Sequence, residues 1–502
     1  MTRESVLEVS RRTAERPLAL AVDVGSSSIR AILYDRLGRA VRGCTARTDY
    51  RMSTSAGGGV EIDAGVLIGH VAQTLDRFSS IAGDMGGELA AVGVCCFSHS
   101  LVGLDHGGEV RSPVLSWADT TSAAEAHELR QALDQHDVWQ RTGAPLHPGY
   151  WPARILRQRR RDRQISRWAG FGELLGAWLT GRHAASISMA STYGLLERRH
   201  DRWDDELLGV LGVAPAALPE LRPDHLPLGV LVDELAVRWP SLAGVPWFPV
   251  WSDAACGNVG LACRGARRAA LMIGTSSAMR VLLDGVEVDL MPGLFCFRLG
   301  ERSTLLGGQL SEGGGTVAWL SQLTGRSADE LEAAAALLSP AAHGIDMLPY
   351  LSGERGLGYH DRARGALAGL SLSSGPAELF RATLESLALR LAAIDRLLTR
   401  ALGAPPAVVV AGGAVARSAL LPGILADALG RPVELPRGAA EPSSRGAALL
   451  ALYYSVGTPP DEAAPVSGKL IPFDAQVHQR YRAALQRQND LYGMVAQRWR
   501  QD

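Results

Sequence analysis

The hydrophobic positions near the start of the chain form two short apolar runs separated by small and polar residues. From residue 18 the sequence reads LALAVDVGSSSIRAILYDRLGRAV, with a Gly-Ser turn between the runs and a second turn at residues 37–38. Short runs rich in Val, Ile and Tyr that are bounded by such turns are typical of β-strands. This pattern predicts a β-hairpin that opens a sheet.

The same pattern returns about 250 residues later as RRAALMIGTSSAMRVLLDG. A repeated strand, Gly-hydroxyl turn and strand indicates two related halves. A chain of 502 residues also exceeds the roughly 250–300 residues at which single cores stop growing. We therefore expect a solvated N-terminal tail at residues 1–17, an N-terminal domain at 18–252 and a C-terminal domain at 253–502.

Both halves alternate strand-like and helix-like stretches, which favours an α/β fold. The run LAAVGVCCF predicts a strand in the first half, and residues 154–249, rich in Arg and Trp, are expected to surround a substrate. In the second half, ELFRATLESLALRLAAIDRLLTRAL predicts a long helix, AVVVAGG a strand, and residues 418–429 another helix.

Charge and composition exclude several classes of function. The formal net charge is −1, so no overall field would attract nucleic acid or an anionic membrane. No uncharged apolar run reaches the roughly 20 residues that a membrane span requires, and the first residues do not resemble a signal sequence. We expect a cytoplasmic protein with a small-molecule substrate.

The lysines and cysteines narrow the chemistry further. Lys469 is the only lysine, which disfavours Schiff-base catalysis and a lysine-containing P-loop. The six cysteines form no C-x-x-C pair, so we expect them to be reduced and packed as small hydrophobic residues.

The first hairpin turn has the chemistry of a phosphate-binding loop. Small residues after Asp23 let backbone N–H groups approach an anion, and Ser26, Ser27 and Ser28 add hydroxyl donors. Asp23 could hold Mg²⁺ through water, and Arg30 could neutralise phosphate charge. The same residues are also compatible with an ordinary serine-rich hairpin in which Asp23 caps the turn.

Two further loops share this chemistry. The turn GTSS, which includes Thr275, occupies the matching position of the second half, and two facing hairpins can hold a phosphate chain. The loop AGGAVAR at residues 411–417 follows an apolar strand and precedes a helix whose first residues can receive a nucleotide. It lacks the full G-x-G-x-x-G, which disfavours a Rossmann dinucleotide site.

Together these segments resemble a known family. The stretches AVDVGSSSIR, MIGTSSAMR, LPYLSGERG, GALAGLSLSSGPAELFRATLE and VVVAGGAVARSALL are similar to those of the FGGY carbohydrate kinases. The resemblance extends over about residues 18–457. It implies two ribonuclease-H-like α/β domains of the actin and hexokinase type that flank an ATP cleft. It also implies transfer of the γ-phosphoryl group of ATP to a hydroxyl of a small polyol, sugar or sugar acid.

The resemblance assigns a role to several residues. In WSDAACGNVG it places the catalytic general base at Asp253, although spacing alone fits an N-cap aspartate equally well. It implies that ATP is bound through Ser26, Ser27, Ser28, Arg30, Thr275, Gly314, Ala318, Gly413 and Arg417. At Ala318 and Arg417 the residue types differ from those of the glycerol kinases.

The acceptor site is expected around S-H-S-L and W-A-D. The resemblance implies substrate contacts from Ser98, His99, Trp117, Asp119 and Tyr150. These motifs, with R-T-G-A-P-L-H-P, look most like the gluconokinase branch, so gluconate is the expected acceptor and 6-phosphogluconate the product. A pentulose kinase for xylulose or ribulose, another polyol kinase, and a non-catalytic ATP-binding sugar sensor are the alternatives.

Three positions depart from the family pattern. Thr121 stands where many relatives have Arg, Ser186 where they often have Asp, and Arg154 where a Lys is common. An arginine at position 121 would suit a gluconate carboxylate. Many relatives are dimers, so a homodimer is expected by analogy alone.

Overall fold

The computed structural model describes residues 7–83, 87–285, 287–438 and 441–501. The strands of the first half are β1 (Glu8–Val9), β2 (Leu18–Val24), β3 (Ser28–Tyr34), β4 (Ala40–Asp49), β5 (Ser53–Thr54), β6 (Val60–Ile62), β7 (Leu89–Cys96), β8 (Val102–Leu104), β9 (Val114–Leu115), β10 (Arg167–Ala169), β11 (Ala184–Ser186), β12 (Leu196–Glu197), β13 (Arg202–Trp203), β14 (Glu220–Arg222) and β15 (Trp251–Ser252). Its helices are α1 (Ala64–Ala82), α2 (Ala123–Ala132), α3 (Gln135–Thr142), α4 (Trp151–Arg161), α5 (Phe171–Thr180), α6 (Ile187–Ser191), α7 (Asp205–Leu211), α8 (Asp233–Arg238) and α9 (Asp253–Gly260).

The second half is built from the remaining elements. Its strands are β16 (Arg268–Ile273), β17 (Ser277–Asp284), β18 (Phe295–Leu299), β19 (Ser303–Leu310), β20 (Asp346–Leu348), β21 (Ala366–Ala368), β22 (Ala407–Ala411), β23 (Val433–Pro436) and β24 (Gly468–Ile471). Its helices are α10 (Gly314–Thr324), α11 (Ala328–Ala335), α12 (Pro376–Leu402), α13 (Gly413–Arg417), α14 (Leu421–Leu429), α15 (Pro442–Val456) and α16 (Ala475–Gln501).

Each half contains one large mixed sheet, and the two sheets share a plan. The first has the order β1-β4-β3-β2-β7-β15 and the second the order β18-β19-β17-β16-β22-β23-β24. In both, a hairpin (β2 with β3, β16 with β17) is followed across the sheet by a parallel strand, β7 or β22. The predicted hairpins, the internal repeat and the two-domain α/β fold are therefore confirmed.

The helices of the second half differ slightly from the prediction. The long helix predicted from ELFRATLESLALRLAAIDRLLTRAL is α12. The helix predicted over residues 418–429 begins later, at Leu421, because the Ser418 hydroxyl accepts a hydrogen bond from the Leu421 N–H at 3.0 Å. Ser418 is the C-cap residue of the short helix α13, and Leu420 is the N-cap residue of α14.

The segment before β2 packs against the first sheet instead of forming the solvated tail that the sequence predicted. Among its described residues, 7–17, the strand β1 pairs in parallel with β4. Leu7, Val9 and Ala14 are buried. Apolar side chains spaced along this segment explain the difference, since burying them is favourable once a sheet edge is available.

Two helices connect the sheets. Helix α15 of the second half packs against α9 and against β7 and β2 of the first sheet. The buried guanidinium of Arg445 on α15 donates to the carbonyl oxygens of Gly38, Gly260 and Ala464 at 2.8, 2.6 and 2.6 Å. A continuous apolar cluster also joins the two halves. Within the described residues, no helix has the length and apolarity that crossing a bilayer requires.

Candidate active site

Asp253 lies where the last strand of the first sheet meets α9, at the mouth of the space between the halves. Its carboxylate oxygen Oδ1 accepts hydrogen bonds from the Ala254 N–H at 2.8 Å and the Ser98 hydroxyl at 3.2 Å. The Ser98 hydroxyl also lies 2.9 Å from that of Ser252. Burial raises the pKa of Asp253 to about 6, and the Arg280 guanidinium opposes the rise. The carboxylate is thus held in one orientation with a pKa near that of a general base.

A pocket of about 100 Å³ opens beside this carboxylate, and both halves contribute to it. Its lining consists of Ser98, His99, Trp117, Asp253, Ala254, Ser276, Ser277, Ala278, Arg280, Phe295, Phe297, Gln309, Leu310 and Arg355. The structure therefore brings four of the predicted residues together: Ser98, His99, Trp117 and Asp253. Polar groups among aromatic side chains are the composition expected of a small-molecule site.

The His99 ring faces the pocket with a fixed orientation and a fixed protonation state. Its backbone has a φ of 65°, in the left-handed region that few non-glycine residues adopt. The ring Nδ1 lies 2.5 Å from the Thr192 carbonyl oxygen, so Nδ1 carries a hydrogen and donates it. Burial and the neighbouring Arg355 lower the pKa of His99 well below its ordinary value. The ring is therefore neutral, and Nε2 is left as an acceptor for a substrate hydroxyl.

Asp119 and Tyr150 are placed differently from the expected substrate contacts. The buried Asp119 carboxylate accepts hydrogen bonds from Val60 N–H at 3.2 Å and from the Thr121 N–H and hydroxyl at 3.2 and 2.8 Å. It holds the loop that carries Trp117 and does not line the pocket. Tyr150 is buried behind His99, with ring centroids 5.0 Å apart, and its hydroxyl accepts from Gln309 at 3.2 Å.

Arg154 ties together the loops that carry His99 and Trp117. It is fully buried, and its guanidinium donates to the carbonyl oxygens of Pro148, His99, Ser116 and Asp119 at 2.8, 2.7, 2.6 and 3.0 Å. A lysine ammonium has three donors and no fork, so it could not reproduce this arrangement. The arginine that stands at position 154 in place of the common lysine thus has a structural function, which the sequence did not reveal.

Ser186 has a structural position as well. Its hydroxyl donates to the Val250 carbonyl oxygen at 2.6 Å and accepts from the Met189 N–H at 2.9 Å, which caps α6. It is buried and does not line the pocket beside Asp253. Both contacts of the Ser186 hydroxyl are with backbone groups, so Ser186 does not take the place of an acidic side chain that binds substrate.

A larger cleft of about 460 Å³ adjoins the pocket and shares Trp117 and Arg355 with it. Ser26 and Ser27 line it from the first half, and Thr275 lines it from the second. The two predicted phosphate turns therefore face one space. Ser28 is buried as the first residue of β3 and does not line the cleft.

Close backbone packing shapes the second turn. A Cβ atom on Gly313 would lie 2.8 Å from the carbonyl oxygens of both Gly274 and Ser276. The Gly314 N–H donates to the Gly274 carbonyl at 2.7 Å, and the Gly315 N–H to the Thr275 carbonyl at 3.2 Å. Only a residue without a side chain lets the start of α10 approach the turn this closely.

Asp23 and Arg30 lie at the base of the first turn. The buried Asp23 carboxylate is 3.4 Å from the Arg30 guanidinium, which also forms a 2.8 Å ion pair with Glu441. Burial raises the pKa of Asp23, and Arg30 opposes this rise. Asp23 in turn helps to raise the pKa of Asp253. The carboxylates of Asp23 and Asp253 are close enough to interact, and they are the kind of oxygen ligands that hold a Mg²⁺ ion through one or two acidic side chains and water.

A third pocket, of about 100 Å³, lies beside the start of α10. Apolar residues dominate its lining, which comprises Gly313, Gly314, Val317, Ala328, Asp329, Glu332, Phe380, Leu384, Leu387, Ala414, Arg417, Ser418 and Leu421. The predicted Gly314 and Arg417 are among them. Ala318 and Gly413 are not, although each is next in sequence to a lining residue.

Family models match nearly the whole chain. The N-terminal domain model of the FGGY family of carbohydrate kinases matches residues 18–260, and the C-terminal domain model of the same family matches residues 269–455. The chain belongs to the FGGY family of carbohydrate kinases. The resemblance seen in the sequence is thereby confirmed.

Individual relatives of this FGGY protein carry different substrate names. A gluconokinase of Bacillus subtilis is 26% identical over 474 residues, covering 91% of this chain and 89% of the relative. A xylulose kinase of Escherichia coli is 28% identical over 442 residues, covering 86% and 89%. A ligand-bound xylulose kinase from Lactobacillus acidophilus superposes with a TM-score of 0.86 at 22% identity, covering 95% and 98%. The names of these relatives differ in the acceptor, so the comparisons assign the family and not the acceptor.

Two arginines in that pocket had no assigned role in the sequence. Arg280 and Arg355 belong to the motifs MIGTSSAMR and LPYLSGERG, but only the structure shows that both side chains turn inward. Both are mostly buried. An arginine within a run of small and apolar residues is the signal that could have singled out Arg280.

Proposed function

We propose that this protein transfers the γ-phosphoryl group of MgATP to a hydroxyl of a small sugar acid, with gluconate as the first candidate and 6-phosphogluconate as its product. The observation that carries this proposal is Asp253, whose oriented carboxylate lies beside a small polar pocket and close to the two phosphate turns. The gluconokinase of Bacillus subtilis supports the choice of acceptor.

In the proposed reaction, Asp253 removes the proton from the acceptor hydroxyl. The acceptor oxygen forms a bond to the γ-phosphorus as the bond from that phosphorus to the β-bridging oxygen breaks, and ADP leaves. Because Ser98 and the Ala254 N–H both bind Oδ1, Oδ2 is the oxygen left to accept the proton. A carboxylate with a pKa of about 6 is ionised at neutral pH and can perform this step.

The rest of the pocket orients the acceptor. Neutral His99 can accept a hydrogen bond from a second hydroxyl at Nε2, because its Nδ1–H donates to the Thr192 carbonyl oxygen. Trp117 supplies a flat apolar surface for a carbon face. Arg154 acts as a positioning residue, because it ties the backbone of His99 to the loop that carries Trp117.

The larger cleft is proposed to hold the triphosphate, and the third pocket to hold the purine. Ser26, Ser27 and Thr275 would donate to phosphate oxygens, and Gly314 and Arg417 would flank the base. Asp23 would hold Mg²⁺ through water. The ion, when bound, neutralises the charge that develops on the phosphates.

A pentulose kinase is the second candidate, favoured by the similarity to the xylulose kinase of Escherichia coli. It requires the same base and the same phosphate turns but no anionic group on the acceptor. A non-catalytic sugar sensor would make no use of the oriented Asp253 carboxylate.

Acceptor-dependent release of ADP tests the proposal. The purified protein is incubated with MgATP and, separately, with gluconate, other aldonates, xylulose, ribulose and glycerol, with an acceptor-free control. We expect fast release with an aldonate and slow release without an acceptor. Release that is independent of every acceptor, despite ATP binding, would contradict the proposal and favour an ATPase or a sensor.

A further inference from the structure

We infer that Arg355 binds the carboxylate of the acceptor and thereby selects sugar acids over neutral sugars, an inference that rests on the proposed kinase function. Arg355 lines both the pocket beside Asp253 and the adjoining cleft.

The buried guanidinium of Arg355 contacts Tyr150, but two of its three nitrogen atoms have no hydrogen-bond partner in the part of the chain that the structure describes. The residue is only 6% exposed, and within the described ranges of the chain neither Nε nor Nη2 has an acceptor. Removing a charged donor from water without a partner is costly. An anion bound in the pocket would provide the missing acceptors.

The side chain of Arg355 is also held in a defined orientation. Its guanidinium carbon lies 4.9 Å from the centre of the Trp117 ring. Stacking on an aromatic face fixes the plane of the guanidinium and leaves its edge, where the N–H donors lie, free to bind a ligand. A planar carboxylate is the ligand that this edge matches best.

Nearby side chains leave the positive charge of Arg355 uncompensated. The Glu354 carboxylate is occupied by the Tyr492 hydroxyl at 2.8 Å and the Gly358 N–H at 3.2 Å. Glu312 is the other nearby acid, and burial raises its pKa to about 8, so it is mostly protonated at pH 7. The aromatic neighbour Tyr150 is uncharged at that pH.

The pocket's two arginines have different surroundings. Arg280 acts electrostatically on Asp253, where the phosphoryl group would be transferred. Arg355 instead acts electrostatically on His99 and His147. In an aldonate whose terminal hydroxyl is phosphorylated, the carboxylate lies at the far end of the carbon chain. The inference places that carboxylate at Arg355 and the phosphorylated hydroxyl beside Asp253.

Arg355 also faces the cleft, so a phosphate oxygen of ATP is the alternative anion. The test compares gluconate with gluconamide, which has the same shape and no charge, in the wild type and in Arg355→Met. Loss of a charge-assisted pair typically costs about 10- to 100-fold. We expect kcat/KM for gluconate to fall at least tenfold more than kcat/KM for gluconamide. Arg355→Lys should recover part of the preference, and the exposed Arg364→Met is the matched control.

Several other outcomes would contradict the inference. Equal losses with both acceptors would indicate a purely structural role, and a higher KM for ATP with both acceptors would assign Arg355 to the phosphates. If the wild type phosphorylates neither acceptor, the proposed function fails, and calorimetry then tests the carboxylate site alone. Gluconate binding at least tenfold tighter than gluconamide would still support the site; equal affinities would overturn it. If Arg355→Met does not fold, the comparison of gluconate and gluconamide binding to the wild type tests the inference instead.

Discussion

At the scale of single residues, the protonation state of Asp253 controls the proposed chemistry. Burial raises its pKa to about 6, against the opposing charge of Arg280. A general base works only when deprotonated, so activity is expected above this pKa and is lost as the pH falls through it. Neutral His99 does not contribute a second ionisation in this range, because its pKa lies well below the ordinary value.

The first prediction concerns this ionisation. With saturating MgATP, kcat/KM for the acceptor should be level above about pH 7 and should fall roughly tenfold per pH unit below about pH 5.5. Initial rates in overlapping buffers measure the profile, with a pH-stable acceptor such as gluconate. A profile that stays level down to pH 4.5 would show that Asp253 is not the base, or that its pKa is not raised.

The sequence predicted this site only in part. Ser98, His99, Trp117 and Asp253 do meet in one pocket, since their motifs end strands and loops at the same edge of the fold. Asp119 was expected to contact substrate, but its carboxylate is consumed by backbone and threonine donors. Side-chain direction within a loop depends on such local partners, and no spacing rule fixes it.

At the scale of elements, the second phosphate turn depends on the close approach of α10. The N–H groups of Gly314 and Gly315 at the start of the helix donate to carbonyl oxygens of the turn, and a Cβ on Gly313 would overlap two carbonyl oxygens. The repeated Gly-hydroxyl pattern predicted the turn, but the partner of the turn was visible only in the structure. Short elements were harder to predict: β15, for example, has only two residues.

The second prediction tests this packing. Gly313→Ala should push the turn that carries Thr275 out of place and lower kcat/KM for ATP by roughly 10- to 100-fold, as expected for a displacement of about 1 Å. Gly423→Ala in α14 is the control, because a Cβ there meets no atom within 4 Å. Kinetics at fixed acceptor concentration measure both. Equal behaviour of the two variants would contradict the packing account.

At the scale of the whole molecule, one helix of the second half belongs to the core of the first. Helix α15 packs on α9 and on strands β2 and β7, and Arg445 donates to the carbonyls of Gly38 in the first half and Ala464 in the second. The sequence predicted two domains from its repeat. It could not predict that they share a core, since contacts between residues about 400 positions apart leave no periodic signal.

The third prediction follows from this shared core. Arg445→Met should lower the free energy of unfolding by about 3–5 kcal/mol, because three buried carbonyl oxygens would lose their donors. Urea denaturation followed by tryptophan fluorescence measures the change. The exposed Arg480→Met on α16 should stay within about 0.5 kcal/mol of the wild type. A similarly small effect of Arg445→Met would show that the halves are joined by apolar packing alone.

The most direct test of the account is the activity of Asp253→Asn, measured together with its binding of ATP. Asparagine keeps the shape of the side chain but cannot accept the acceptor's proton at neutral pH. We expect acceptor-dependent ADP release to fall by about 10²- to 10⁴-fold, while the Kd for MgATP changes less than about threefold. Wild-type turnover in this variant would contradict the proposed role of Asp253 and, with it, the mechanism built on this pocket.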